Sequence, residues 1–261
     1  MITRNTILAQ SDRVVLEDII VKKGRIVLFG DLRAAYSNRY GYQALKNRLS
    51  KLVQAGWLVR LKRGQYLIIT DFTTLGVNDI HQYVIAQAFN EDSYISLESA
   101  LQYHSMFDQM LIRLDGITKG VARSYKLQGS TYKFSHIKDN LYFGFTEERI
   151  DRSYSVQIAE AEKALLDMLY FRTSGYSTSL VLEKLHDYRQ QLDFVKLQAY
   201  AQRYGVGMVR KVGFILDYLG VDTTELYTKT EVKQNSFSKF AATDRTFNAK
   251  WRIYYDSTLF N

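Results

Sequence analysis

Neither cysteine nor proline occurs anywhere in the 261 residues. Without cysteine there is no disulfide framework and no thiolate metal site, and a cytoplasmic protein is expected. The missing proline carries no functional reading. No apolar run reaches the roughly 18 residues that a membrane-crossing helix needs. The opening Met1-Ile2-Thr3-Arg4-Asn5-Thr6 lacks the basic-then-apolar layout of a signal peptide. Four scattered histidines, His81, His104, His136 and His186, show no metal-ligand spacing, so neither a metal nor a cofactor is expected. A Gly-x-Ser-x-Gly elbow and a phosphate loop are also wanting, and the chain is read as a non-enzyme.

Acidic residues are missing too, but only locally. Between Asp31 and Asp71 there is none, against eight bases: Arg33, Arg39, Lys46, Arg48, Lys51, Arg60, Lys62 and Arg63. Residues 1–70 carry 13 Lys/Arg and 4 Asp/Glu, while the rest carry 22 and 23. The whole excess of the +8 net charge therefore sits in the first quarter of the chain, which points to a polyanionic partner.

What is present there has the layout of a winged helix-turn-helix over 11–70. Ser11 and Asp12 are expected to cap a helix with Val14, Val15, Ile19 and Ile20 on its apolar stripe, ended by Gly24. A small strand over 26–29 and a short helix over 32–36 follow. A third helix is expected over 40–55, with Leu45, Leu49, Leu52 and Val53 on one face and Gln43, Asn47, Ser50 and Gln54 opposite. Arg39, Gln43, Lys46, Asn47, Ser50 and Lys51 are the candidate readers of base edges and phosphates. Trp57–Leu61 and Gln65–Ile69 alternate as two strands around Lys62-Arg63-Gly64, a basic turn of the kind that tracks phosphates. Arg60, Lys62 and Arg63 are the candidate wing residues.

A connection over 71–78 separates two expected domains, 1–72 and 79–261. The second reads as a larger α+β domain with a helical bundle: helices over 79–90 and 97–104, strands over 111–114, 124–128, 131–136, 141–145 and 154–156, then helices over 158–172, 178–189, 193–203 and 206–219. Ser96 is a plausible N-cap with Glu98 in the first turn. A polar excursion spans 223–244, and a final strand, Trp251–Tyr255, is expected to close the domain's sheet.

Four segments resemble one family in order along the chain. They are the run Arg48–Tyr66 (RLSKLVQAGWLVRLKRGQY), Tyr94–Leu101 (YISLESAL), Ala159–Leu169 (AEAEKALLDML) and Trp251-Arg252-Ile253. Together they are similar to AbiEi-type antitoxins, the transcriptional regulators of type IV toxin–antitoxin systems linked to abortive phage infection. The resemblance implies a repressor that binds inverted repeats in double-stranded promoter DNA. It implies also that the chain counteracts a nucleotidyltransferase-like toxin without a stable complex, the second domain contributing to both roles. Ser96, Glu98, Glu162, Lys163 and Asp167 fall in the shared segments, as candidates for antitoxicity or for structure.

Two other classes stay open. Gly129-Ser130 could open a nucleotidyltransferase site, but no Asp-x-Asp or Asp-x-Glu follows at a suitable distance, and a hairpin turn is the better reading. Glu162 and Asp167 lie about 140° apart on a helix and do not converge on one ion from that helix alone. An adaptor is the third class, with Phe107–Leu111 and the polar stretch after Gly220 as possible protein-binding segments.

Overall fold

The computed structural model describes residues 8–70, 80–150, 153–230 and 236–260. It is a mixed α+β protein that divides into two compact units. The first runs to Glu91 and takes in 125–132 and 149–156; the second holds 92–124, 133–148 and the chain from Gln157 onward.

In the first unit the order is α1 (Gln10–Lys23), β1 (Ile26–Leu28), α2 (Phe29–Ala35), α3 (Tyr42–Gln54), β2 (Leu58–Lys62), β3 (Gln65–Ile68) and α4 (Gln82–Phe89). The strands form an antiparallel sheet in the order β1-β3-β2, with Ile26 opposite Leu67 and Leu58 opposite Ile68. Three helices close over it through Val15, Leu16 and Ile19 of α1, Leu32 of α2, and Leu45, Leu49 and Leu52 of α3. Their spacing of three and four residues puts one apolar stripe per helix onto a shared core. Gly24, at φ 80°, ends α1 in a conformation that costs a residue with a Cβ.

The expected cap of α1 is corrected. The helix starts at Gln10, with the N-cap at Ala9, two residues before Ser11, and with no side-chain cap bond. Asp12 is instead fully buried, accepting from the Tyr36 hydroxyl at 3.1 Å and from the Arg48 guanidinium. Phe29 begins α2 rather than ending β1, because Asp31 Oδ2 accepts the Leu28 N–H at 3.0 Å and starts the helix there. The expected connection over 71–78 lies outside the described residues. The division also places α4 with the first unit and not with the second: Lys62 on β2 donates to the Ala88 and Phe89 carbonyls at 2.8 and 3.0 Å, tying that helix to the sheet.

A six-stranded sheet comprises β4 (Ser93–Ile95), β5 (Arg113–Thr118), β6 (Arg123–Leu127), β7 (Ser130–His136), β8 (Phe145–Arg149) and β9 (Ser155–Ala159), in the order β6-β7-β5-β4-β9-β8, and all of it but 125–127, 130–132, 149 and 155–156 is counted with the second unit. Short β4 is fully buried and was too brief to read as a strand; it pairs antiparallel with β5 and parallel with β9. Gln128 and Gly129 are both left-handed and make the two-residue hairpin turn between β6 and β7, which Ser130 follows as the first residue of β7. Helix α5 (Leu97–Tyr103) follows β4. Then come α6 (Ala161–Phe171), α7 (Gly175–Asp187), α8 (Phe194–Tyr204) and α9 (Val206–Tyr218). Ser174 and Asp193 cap α7 and α8 by accepting the N–H groups of Ser177 and Lys196.

The excursion over 223–244 contains, in its described part, α10 (Thr224–Lys229) and β10 (Ser238–Lys239). Two further strands are β11 (Thr246–Asn248) and β12 (Ile253–Tyr255). Here the sequence expectation fails: β12 does not join the large sheet but forms a separate one, in the order β10-β12-β11. The cause is local. Buried Trp251 lies against Gly213 of α9, where a Cβ would come within 2.3 Å of the indole, and its Nε1 donates to Asp217 at 2.7 Å. Among the described residues no helix is long and apolar enough to cross a membrane.

Candidate nucleic-acid interface and a buried ion cluster

Helix α3 buries Leu45, Leu49 and Leu52 and leaves Gln43, Lys46, Asn47, Ser50, Lys51 and Gln54 exposed. The Gln43 amide donates to Asn47 Oδ1 at 3.4 Å, so two carboxamides stand side by side one turn apart. Tyr42, half in water at the start of α3, had no sequence signal. Its ring meets Phe29 edge-on at 5.8 Å and carries Lys46 4.3 Å and Arg33 5.5 Å from its centre. The ring thereby holds two cations on one surface, an arrangement that needs α2 and α3 folded together.

Not all of the eight bases in the acid-free stretch belong to that surface. Arg39 lies in the turn before α3 rather than on it, and its guanidinium donates to the Ser11 carbonyl at 2.5 Å. Arg48 is spent on buried Asp12. Lys62 departs most from its expected role. Its ammonium donates to the last carbonyls of α4, where the helix dipole favours a cation. Arg63 and Arg60 are exposed, next to the left-handed Gly64 of the turn and on the adjoining strand. The remaining basic surface is Arg33, Lys46, Lys51, Arg60 and Arg63.

In the second unit, three of the shared-segment residues come together out of water. Lys163 and Asp167, one turn apart on α6, are both 0% exposed. The Lys163 ammonium donates to Asp167 Oδ1 at 2.6 Å, to the Tyr94 hydroxyl at 2.8 Å and to the Tyr204 hydroxyl. Three donors thus meet three oxygens, which is the whole capacity of an ammonium. Asp167 Oδ2 accepts from Ser96 Oγ at 2.7 Å and from Tyr94 at 3.1 Å, and Tyr204 donates to Oδ1. Ser96 is the N-cap residue of α5 by position, but its hydroxyl is given to Asp167 and caps nothing. The rings of Tyr94, Phe143 and Tyr204 stand 4.9–5.2 Å from the ammonium.

Burial pushes the Lys163 ammonium below the usual lysine range, with Asp167 opposing the change. Burial next to Asp167 drives the Tyr94 and Tyr204 hydroxyls well above the usual tyrosine value, so both stay protonated as donors.

Glu162 and Glu98 do not join this cluster. Glu162 accepts the Asp193 N–H at 2.8 Å and pairs with Lys196 at 2.9 Å. Glu98 stands 3.4 Å from Arg172, which also holds Asp115 at 3.0 Å. His104 is the C-cap residue of α5 through its backbone N–H, and its ring Nε2 lies 2.7 Å from the Ala159 carbonyl at the end of β9. Among the described residues no group of three His, Asp or Glu side chains is placed to hold a metal ion. Tyr94, Phe143 and Tyr204 were invisible as site residues, because 94, 143, 163 and 204 have no periodic relation in the chain.

The fold has a counterpart. A crystal structure of the RV2827C protein from Mycobacterium tuberculosis is similar, with a TM-score of 0.64 over 94% of this chain and 91% of that one, at 15% identity. The likeness is one of fold. No protein-family model matches the chain. No curated protein matches it either.

Proposed function

We propose that this chain is a sequence-specific double-stranded DNA-binding repressor whose first unit is a winged helix-turn-helix. The observation that carries the reading is the element order α1-β1-α2-α3-β2-β3 with sheet order β1-β3-β2, joined to a polar, acid-free outer face of α3. In such a fold the third helix enters the major groove and the hairpin reaches the flanking backbone. Gln43 and Asn47 are the base readers in this reading, since paired carboxamides match the N6 and N7 edge of adenine. Lys46, Lys51, Arg33, Arg60 and Arg63 answer to phosphates. Lys62 positions the hairpin and makes no phosphate contact.

The resemblance to AbiEi-type antitoxins extends the proposal. The chain represses its own operon and counteracts a nucleotidyltransferase-like toxin encoded beside it, within a cytoplasm and without a stable complex. The buried Lys163–Asp167 cluster supports a structural part in this. Its ammonium is saturated with partners and closed to solvent, so it frames the second unit and offers no reactive lone pair.

The test uses duplexes from the chain's own upstream region, followed by fluorescence anisotropy at several salt concentrations. Strong salt dependence is expected, with a log–log slope of about one unit per phosphate contact. Asn47→Ala is expected to reduce the preference for the promoter over a scrambled duplex by about tenfold, one base-edge contact being lost. Equal weakening on both duplexes removes Asn47 as a base reader. Absence of any duplex binding at low salt removes the repressor reading. Growth rescue on co-expression with the neighbouring toxin, retained in the Asn47→Ala chain, would separate antitoxicity from repression.

A further inference from the structure

The first unit holds a cavity of about 410 Å³ beside the basic hairpin. Ile26 and Leu28 of β1 and Val84 and Ala88 of α4 supply its apolar lining. Gln65, the first residue of β3 and the next after the Gly64 turn, also lines it. That side chain is 3% exposed, and among the described residues its Oε1 meets no donor. A buried acceptor without a partner is a rare and costly feature. The last torsion of a glutamine is broad, so this lining residue can present the oxygen to a ligand.

The other charged groups on the wall favour a donor as well. Asp31 and Glu91 bring two carboxylates against one ammonium, Lys23, which stands 3.8 Å from Asp31 and lies mostly in water. An anion would meet both carboxylates, whereas a cation with an apolar body meets three acceptors, on Gln65, Asp31 and Glu91, and an apolar lining. The volume lies within the range of small-molecule sites.

We propose that this cavity is an effector site for a small organic cation of the amidinium or guanidinium class. The ligand donates its N–H groups to Gln65 Oε1 and to the carboxylates of Asp31 and Glu91, and lays its apolar body on Ile26, Leu28 and Val84. The consequence for regulation rests on the DNA-binding reading above. Ala88 lines the cavity and its carbonyl holds Lys62, while Gln65 leads directly from the hairpin tip. A ligand therefore bears at once on α4, whose carbonyls hold Lys62, and on Gln65, the cross-strand partner of Lys62, and shifts the tip that carries Arg63.

Benzamidine tests the site on the full chain, with benzoate as its isosteric anion and isothermal titration as the readout. One-to-one binding of benzamidine is expected with a Kd of about 1 mM or tighter, and binding of benzoate about tenfold weaker or worse. Glu91→Gln, at an exposed position, is expected to weaken benzamidine about threefold, and Gln65→Met, which keeps the shape and removes the acceptor, about fivefold. Asp31 is left alone because it caps the Leu28 N–H. Urea midpoints of both variants separate lost binding from lost folding.

No benzamidine binding, equal binding of benzoate, or Glu91→Gln and Gln65→Met behaving like the parent overturns the site. Duplex affinity is then measured with saturating benzamidine against the same concentration of sodium chloride. A change of about threefold or more supports the coupling, and an unchanged affinity overturns it. A chain that binds benzamidine but no duplex retains the site and loses the DNA-binding reading.

Discussion

Helices α3 and α6 both carry lysines and polar side chains, and they treat water in opposite ways. On α3, Lys46 and Lys51 stand exposed beside Gln43, Asn47 and Ser50. On α6, Lys163 and Asp167 are wholly buried and fully hydrogen-bonded. An exposed ammonium keeps its hydration and its counterions, and it can give both up to a polyanion. A buried one has already exchanged its hydration for fixed partners, and displacing any of them leaves a charge stranded in a poor dielectric. The same residue type thus stays in water in one unit and is a fastener in the other. Lys62 and Arg48 show that proximity in sequence to the exposed group does not decide which: both lie among binding candidates, and both serve as fasteners.

The sharpest way to break this contrast is Lys163→Met. Removing the ammonium strands Asp167, and the unfolding free energy in urea is expected to fall by about 3–5 kcal/mol. Lys163→Met combined with Asp167→Leu should recover part of that loss, since an apolar pair leaves no stranded charge. A single-variant loss below about 1 kcal/mol would place the pair among surface-type ion pairs and end the contrast. Next in size, Asp12→Ala deprives the Tyr36 hydroxyl and Arg48 of their acceptor. A loss of about 2 kcal/mol is expected in the same assay.

Lys62→Ala and Arg63→Ala then divide neighbouring bases by role. Lys62→Ala is expected to cost about 1 kcal/mol in stability, through the lost cation at the end of α4, and to leave the salt slope of duplex binding unchanged. Arg63→Ala is expected to leave stability within about 0.5 kcal/mol and to lower the slope by about one unit. If both lower the slope equally, Lys62 is a phosphate contact after all.

The smallest effect concerns pH. Asp217 is partly buried, which favours its neutral form. The bonds from Lys250, Thr223 and Trp251 outweigh that and hold its carboxyl below the ordinary value. A carboxyl whose folded value lies below its unfolded one adds stability above about pH 4, and this is lost as pH falls through the folded value. The difference in stability between the parent and Asp217→Asn should therefore be constant at neutral pH and shrink below about pH 4. A difference that does not change with pH would show that the Asp217 contacts act as neutral hydrogen bonds.

The first unit was largely legible because its information is local. The stripe Leu45–Leu49–Leu52, the stop at Gly24 and the basic turn before Gly64 each follow from a few consecutive residues. The second unit was less so. Strand β4 is three residues long and has no period to read, and β12 was assigned to the wrong sheet because the decisive contact, Trp251 on Gly213, spans 38 positions. Arg39, Arg48 and Lys62 were read by charge alone, and charge does not reveal a partner brought in by a distant turn.

By itself the sequence determined the confinement of positive charge to the first seventy residues, the apolar stripes, and the polar outer face of α3. These depend on residue type and on periods of 2 and 3.6, which a chain carries before it folds. Only the tertiary structure decided which charges remain in water. That choice depends on the burial and partners that packing creates, so it separated Arg63 from Lys62 and joined Tyr94, Lys163, Asp167 and Tyr204 into one cluster.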